Sequence, residues 1–432
     1  MRSTQISRRL KLAALVGAGS LILAACGGSG FDDDNGESGG SGENGGAQND
    51  NGEASGSLTS SDDPLEILIG SSGEAETSAV EEAVAKWSED SGVEASVSVA
   101  NDLPQQLSQG FAAGTPPDLF YLAPEALAGY AENGSLQPYG DELENKDDFF
   151  DSLIENFTYD DEFYCAPKDF STLALLINDD IWSDAGLTED DYPQNWHDLS
   201  AVAEQLTTDD QVGLAFGAEY QRVGVFMAQA GGGLMVDDQP AANSDENIEA
   251  LEYVKQHLVD GTFAYAADIG AGWGGEAFGK EMAAMVIEGN WITGAMENDF
   301  PDVNYSVVEL PSGPGGQGTL QFTNCWGMAA DSPNQQAAAD LVDFLTSDEQ
   351  QLAFSQAFGP MPSIETASDQ WTSDNPDLAA FLTSADYAQF IPTMAGSVDV
   401  VADFNAQLES LGSGDVKSIL DTVQGNLEAI AG

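Results

Sequence analysis

The sequence predicts an α/β fold arranged in two lobes. From Leu65 to Gly134, short apolar runs alternate with segments of helical periodicity. Such alternation is typical of a parallel sheet with helical crossovers, in which ligands bind beyond the carboxyl ends of the strands. The hydrophobic content of 42% and the seven tryptophans predict a large core, and 432 residues exceed what one ordinary core holds.

The first half contains three strand and helix pairs. LEILIG, at residues 65–70, is the first strand, and the following helix ends at Gly92, in the position of a glycine cap. That helix places Val80, Val84 and Trp87 on one face. The remaining predicted elements are a strand at 93–99, a helix at 103–114, a strand at 116–122 and a short helix closed by Gly134.

The second half starts with an apolar strand inside EFYCAPKDFSTLALLIND. A helix from about Ser244 should turn Ile248, Leu251, Val254 and Leu258 inward. Further strands are predicted in EMAAMVIEGNW and YSVVEL, an apolar stretch in QGTLQFTNCWGMAA, amphipathic helices at 334–358 and a largely helical tail after Ser373.

The N-terminus, residues 1–26, is predicted to be a lipoprotein signal peptide. Basic residues precede an apolar run at 12–25 that is too short to span a bilayer. The small residues before Cys26 resemble the lipobox of exported lipoproteins, whose cysteine carries the lipid and becomes the mature N-terminus. An ordinary signal peptide is the alternative, and Arg8, Arg9 and Lys11 leave the Sec and twin-arginine routes both open.

Residues 27–63 read as a disordered acidic tether of Gly, Ser, Asn, Asp and Glu, which lacks the apolar surface to offset the entropy of ordering. Its reach would be about 30 to 40 Å.

The chain has 74 acidic and 11 Lys and Arg residues, a formal charge of −63, which argues against nucleic acid as a partner. We interpret this acidity as adaptation to concentrated salt, which screens self-repulsion.

Five segments carry a family likeness: AAGTPPDLFYL, FYCAPKDFSTLALLINDDIWSDAGL, NWHDL, AFGKEMAAMVIEGNW and FGPMPS. In this order they resemble the carbohydrate-type solute-binding proteins of ABC importers, the group that includes maltose-binding protein. The resemblance implies a periplasmic-binding-protein fold with hinge strands and a central ligand cleft. It implies lobe 1 at 64–165 plus 327–372, and lobe 2 at 166–326 plus 373–432 with the C-terminal helices.

Cysteine counting alone leaves Cys165 and Cys325 either paired or separately buried. The resemblance places both on neighbouring hinge strands, which favours a disulfide between them.

The resemblance also implies a function. The protein would be a monomeric receptor that captures a neutral sugar or oligosaccharide and delivers it to an ABC permease with a cytoplasmic ATPase. Lipid on Cys26 would hold it at the outer face of the cytoplasmic membrane, and it would need no cofactor or metal. The alternatives are the same fold binding a polyamine, iron or peptide, and a secreted glycoside hydrolase. No hydrolase motif is present, and His197 and His257 read as surface residues rather than members of a catalytic triad.

Sugar recognition needs flat rings for C–H faces and carboxylates or amides for hydroxyls. We predict aromatic contacts from Trp273, Trp291 and Trp326, with a place in the core as the alternative for each. The polar candidates are Ser72 and Glu74 after the first strand, Glu125 after the third, Asp169 in the hinge segment, Gln229 before AGGG, and Asn290 beside Trp291. Lys168 and Lys280 are expected to pair with carboxylates, and the absence of a basic cluster argues against an anionic ligand.

Overall fold

The computed structural model of the protein describes residues 58–236 and 239–431. The predicted signal peptide, Cys26 and the tether up to residue 57 lie outside the described residues. No helix within the described ranges is long and apolar enough to cross a membrane.

The strands are β1 (Leu65–Ile69), β2 (Ala95–Val99), β3 (Leu119–Leu122), β4 (Thr158–Tyr159), β5 (Glu162–Phe163), β6 (Pro167–Asn178), β7 (Val212–Phe216), β8 (Met235–Val236), β9 (Gln239–Pro240), β10 (Phe263–Tyr265), β11 (Ala283–Gly289), β12 (Tyr305–Val308), β13 (Thr319–Met328) and β14 (Ala388–Phe390).

The helices are α1 (Glu74–Ser91), α2 (Leu103–Ala113), α3 (Pro124–Glu132), α4 (Asp151–Asn156), α5 (Asp179–Asp184), α6 (Trp196–Leu206), α7 (Tyr220–Gln229), α8 (Asp245–Asp260), α9 (Gly274–Gly279), α10 (Ile292–Asp299), α11 (Gln335–Leu345), α12 (Asp348–Phe358), α13 (Glu365–Asp374), α14 (Ala379–Thr383), α15 (Ser397–Leu408) and α16 (Val416–Ile430).

Ten strands of the described chain form one sheet. Its order is β10-β7-β11-β6-β13-β3-β1-β2, with β12 also paired to β6 and β14 to β13. The pairs β1–β2 and β1–β3 are parallel, as the alternation of strands and helices predicts. The α/β prediction is therefore confirmed.

Two long strands, β6 and β13, connect the halves of this sheet. β13 pairs with β3 through Cys325 to Met328 and with β6 further toward its start. The later part of β6 pairs with β11 instead. Because each strand belongs to both halves, the pair forms the crossing between them.

Two large hydrophobic cores lie on either side of this crossing. The first contains residues of β1, β3, α1 and α11, among them Ile67, Val84 and Leu341. The second contains residues of β7, β11, α8, α15 and α16, among them Leu214 and Phe404. The presence of two cores agrees with a two-lobed chain. The lobe boundaries given above stay a prediction. We call the two halves lobe 1 and lobe 2 below.

Helix α1 shows how periodicity positions lobe 1. Val80, Val84 and Trp87 are buried at helical spacing, as predicted. The helix ends at Gly92, whose φ of 77° is left-handed and whose N–H bonds the Ser88 carbonyl oxygen. In α8, Leu251 and Val254 of the predicted inward face are fully buried, whereas Ile248 and Leu258 are only half-buried.

A disulfide joins Cys165 to Cys325, whose Cα atoms are 5.6 Å apart. Both cysteines are fully buried in the core of lobe 1. Cys165 lies just before β6 and Cys325 lies on β13, so the bond links the two crossing strands.

Three features differ from the sequence-based expectations. Residues 58–63 are part of the folded unit rather than of a tether, because Thr59 donates hydrogen bonds of 3.0 Å to the Gln335 side chain and 2.9 Å to the Ser332 carbonyl. The strand β14 was not predicted, since three residues are too short to show a periodic pattern. His257 is half-buried and stacks on Phe263, with ring centroids 4.3 Å apart, so it is not a surface residue.

Candidate ligand-binding site

A cavity of about 460 Å³ lies where the two halves of the sheet meet. The crossing strands supply part of its wall, through Asp169 and Ser171 on β6 and through residues 321–324 of β13. Loops from both cores supply the remainder. The cavity is therefore shared between the lobes rather than enclosed by one of them.

The ends of the strands explain why these loops converge. Ser72 follows β1 and Glu125 follows β3, and parallel strands present their carboxyl ends at one edge of a sheet. Asn290 and Trp291 follow β11 in lobe 2. All four of these predicted site residues line the cavity, and Asp169 lines it from the crossing strand.

A buried ionic cluster forms the lobe 1 side of the cavity. The Lys168 ammonium lies 3.3 Å from the Glu76 carboxylate, contacts the Asp169 carboxylate, and sits 4.5 Å from the centre of the Tyr121 ring. Ser72 donates two hydrogen bonds of 2.7 Å to Glu76, from its backbone N–H and its hydroxyl. The expectation that Lys168 pairs with carboxylates is met, and its pairing partners are themselves part of the cavity region.

Burial and ion pairing have opposite effects on the pKa values of this cluster. Burial by itself would raise the pKa of Glu76, but Lys168 and the Ser72 hydrogen bonds hold that pKa below its ordinary value. Burial raises the pKa of Asp169 in spite of Lys168. Burial would lower the pKa of Lys168, but the two carboxylates raise it, so the lysine stays cationic.

A second buried ion pair holds Trp291 on the lobe 2 side. The indole N–H donates a 3.0 Å hydrogen bond to Glu288, which is 1% exposed. Arg222 donates to the same carboxylate oxygen at 2.7 Å, and its guanidinium lies 5.1 Å from the centre of the Trp291 ring. Burial raises the pKa of Glu288 against the effect of Arg222. The ring is thus fixed in direction before any ligand arrives.

Two predicted contacts prove to be structural. Trp326 is 1% exposed in the core of lobe 1, where it meets Tyr121 edge to face at 4.9 Å between ring centres. The segment NCWGM belongs to β13, so its side chains alternate between faces. Gln229 is also buried, because it accepts a 2.6 Å hydrogen bond from the Trp196 indole and donates one of 3.1 Å to Gly318.

Two other predicted contacts, Glu74 and Trp273, do not line this cavity. Glu74 begins α1 and is exposed. Glu76, two residues further along the helix, is the carboxylate that lines the cavity. Trp273 is 36% exposed and lines a separate cavity in lobe 2. Sequence reasoning located the right loop for Glu74 but not the direction of its side chain, whereas the segment around Trp273 lines the other cavity instead of this one.

Gln321 is a cavity residue that sequence reasoning missed. It lies on β13, is 2% exposed, and neither amide atom has a hydrogen-bond partner among the described residues. The Asn290 amide donates to the Gly359 carbonyl at 2.8 Å, while its oxygen is likewise unpartnered within the described chain. An amide between Leu320 and Phe322 was the available signal.

Comparison with known proteins identifies the family of the chain. The family model described as bacterial extracellular solute-binding protein matches residues 82–380. The chain belongs to this family. The family consists of binding proteins that act outside the cytoplasm, so the predicted extracytoplasmic location is supported at this level.

Individual relatives agree with this placement. The diacetylchitobiose binding protein DasA of Streptomyces coelicolor is 26% identical over 377 residues, covering 82% of each chain. The maltotriose-binding protein of Pyrococcus abyssi is 25% identical over 312 residues, or 67% of this chain and 64% of that one. An ABC substrate-binding protein from Listeria monocytogenes, solved with cycloalternan, matches with a TM-score of 0.74 and 22% identity, covering 85% of this chain and 99% of that one. The two-lobed fold is therefore confirmed.

Proposed function

We propose that this solute-binding protein captures a neutral sugar or oligosaccharide in the cavity between its lobes and delivers it to an ABC permease driven by a cytoplasmic ATPase. It acts as a monomer, held at the outer face of the cytoplasmic membrane by lipid on Cys26. It performs no chemical step on the ligand. Ser72, Glu125, Asp169, Asn290 and Trp291 are the predicted ligand contacts that this proposal retains.

The observation that carries the proposal is the composition of the shared cavity. Aromatic rings of Trp291, Phe322 and Phe358 stand beside amides such as Gln321 and Asn290 along its wall. Flat rings suit the C–H faces of a sugar, and amides can both donate to and accept from its hydroxyls. Two relatives are named for the sugars diacetylchitobiose and maltotriose, which supports the same ligand class.

The charges favour a neutral ligand. Lys168 and Arg222 are each already paired with buried carboxylates, so neither is free to neutralise a phosphate or sulfate. The same pairing occupies Glu76 and Asp169, which would otherwise suit a polyamine or the paired acids of a hydrolase.

Hinge closure follows from the position of the crossing strands. Only two long strands, among the described residues, continue from lobe 1 into lobe 2, and the cavity lies against both. An open form would bind the sugar on one lobe, and rotation about these strands would bury it. The Cys165 to Cys325 disulfide ties the strands together on the lobe 1 side, which we expect to stiffen the hinge without blocking closure.

The proposal predicts a sugar-specific rise in thermal stability. The purified protein, kept in molar potassium chloride, would be heated with maltotriose, diacetylchitobiose, spermidine or a tripeptide. We expect a sugar of this panel to raise the unfolding temperature. Binding to the native state alone adds about 2.7 kcal/mol at a hundredfold excess over the dissociation constant. Chromatography should recover the sugar unchanged after long incubation. Hydrolysis of the sugar, or stabilisation by spermidine or the tripeptide alone, would contradict the proposal.

A further inference from the structure

A second cavity, of about 600 Å³, adjoins the first in lobe 2. Arg222 and Glu288 line this second cavity, and both contact Trp291, which lines the first. The contacts are the 3.0 Å hydrogen bond from the indole to Glu288 and the 5.1 Å approach of the guanidinium to the ring centre. The two cavities therefore share one partition, made of these three side chains.

Trp273 gives the second cavity an aromatic wall. It is 36% exposed, and among the described residues it is the one tryptophan exposed to that extent. Gly275 leaves room for this ring, because a Cβ atom at that position would lie 2.1 Å from it. A Cβ atom on Gly274 would lie 2.5 Å from the Glu288 carboxylate. The glycine-rich segment GAGWGG thus brings an exposed, oriented indole next to the partition.

Two buried polar atoms of the second cavity have no hydrogen-bond partner in the described part of the chain. They are the hydroxyl of Tyr265, which is 3% exposed, and Nε of Arg222. Buried donors without partners cost free energy, so native proteins leave few of them. Burial, with Asp268 and Glu219 nearby, raises the pKa of Tyr265, so its hydroxyl is a proton donor at neutral pH.

We propose that the second cavity is an additional sugar-ring site, and that the ligand is an oligosaccharide whose chain passes Trp291 and places a further unit between Trp273 and Tyr265. This inference rests on the proposed function. The Trp273 ring would cover one face of the unit, Tyr265 and Arg222 would donate to its oxygens, and the carboxylates of Glu219 and Asp268 would accept from its hydroxyls. Because four carboxylates and one guanidinium line the second cavity, and Arg222 is paired with Glu219 and Glu288, the site disfavours an anionic unit.

Affinity should therefore depend on ligand length. Calorimetric titration would use maltooligosaccharides and chitooligosaccharides from the monosaccharide to the hexasaccharide. We expect the dissociation constant of one series to fall at least about tenfold at the length that fills the second cavity. Trp273→Ala should abolish that gain and leave the affinity for the shorter members within about twofold of the original protein. Trp273→Phe, which keeps a flat ring, should restore much of the gain, whereas Tyr265→Phe should reduce it.

The outcomes separate this site from the function on which it rests. Short sugars that bind as tightly as long ones, or a length dependence that survives in Trp273→Ala, would overturn the second site and leave the sugar receptor intact. A loss in Trp273→Ala that is equal for all lengths would also overturn it, because Trp273 would then act in the first cavity. Failure of both series at every length would overturn the proposed function itself.

Discussion

Replacement of Trp291 by alanine is expected to weaken sugar binding about 30-fold or more, which corresponds to about 2 kcal/mol. The change removes a ring that Glu288 and Arg222 hold in one orientation on the cavity wall. A ring fixed in advance loses little entropy when a sugar stacks on it, so its removal costs most of the stacking energy. Isothermal titration with the sugar that stabilises the protein measures the loss.

Trp326 supplies the matched control for this experiment. It is buried in the core of lobe 1 and does not line the cavity. Trp326→Phe should lower the free energy of unfolding by about 1 to 3 kcal/mol, because the smaller ring leaves a void, yet keep the affinity within twofold. If Trp326→Phe removed binding while Trp291→Ala kept it, the assignment of the two tryptophans would be reversed.

Replacement of Lys168 by methionine is expected to lower the free energy of unfolding at neutral pH by about 3 to 5 kcal/mol. Lys168 is the cation between Glu76 and Asp169, and its side chain is 9% exposed. Without it, two neighbouring buried carboxylates would face each other with no neutralising charge. Urea denaturation followed by circular dichroism measures the change.

This destabilisation should depend on pH in a defined direction. Lys168 holds the pKa of Glu76 below its ordinary value and opposes the rise of the pKa of Asp169. In Lys168→Met both pKa values should lie above those of the unfolded chain. A carboxyl whose folded pKa is raised stabilises the fold below its unfolded pKa, and that contribution is lost as pH rises through the folded pKa. The gap between the variant and the original protein should therefore widen from about pH 4 to pH 8.

Lys280→Met is the matched control for Lys168→Met. Lys280 is half-exposed and pairs with Glu276 one turn earlier on the chain. Exposed pairs of this kind contribute about 0.5 kcal/mol or less. Equal losses in the two lysine variants, or a gap that narrows toward pH 8, would show that the Glu76, Lys168 and Asp169 cluster does not have the charges assigned here.

Sequence periodicity was sufficient to predict the elements that carry the site. β1, β3 and β11 are short buried runs with clear flanking signals, so the residues after them, Ser72, Glu125 and Asn290, were found by position. Side-chain direction could not be predicted in the same way. Gln229 is occupied by the Trp196 indole, a partner 33 residues away that only the folded chain brings near.

The crossing strands were the least predictable part of the site. Along β13 the face of each side chain depends on the exact strand register, including an irregularity between Asn324 and Cys325. A loop at NCWGM would have allowed Trp326 to reach the ligand, whereas a strand directs it into the core. Gln321 lines the cavity from the same strand, although the sequence offered only an amide between Leu320 and Phe322 as a signal.

Small-angle X-ray scattering with and without sugar tests the central claim most directly, since the claim is that two lobes close on a ligand held between them. We expect a saturating sugar to lower the radius of gyration of the original protein. Trp291→Ala at the same sugar concentration should keep the larger, open value. A radius of gyration that stays constant in the original protein, while calorimetry shows the sugar fully bound, would contradict capture by hinge closure.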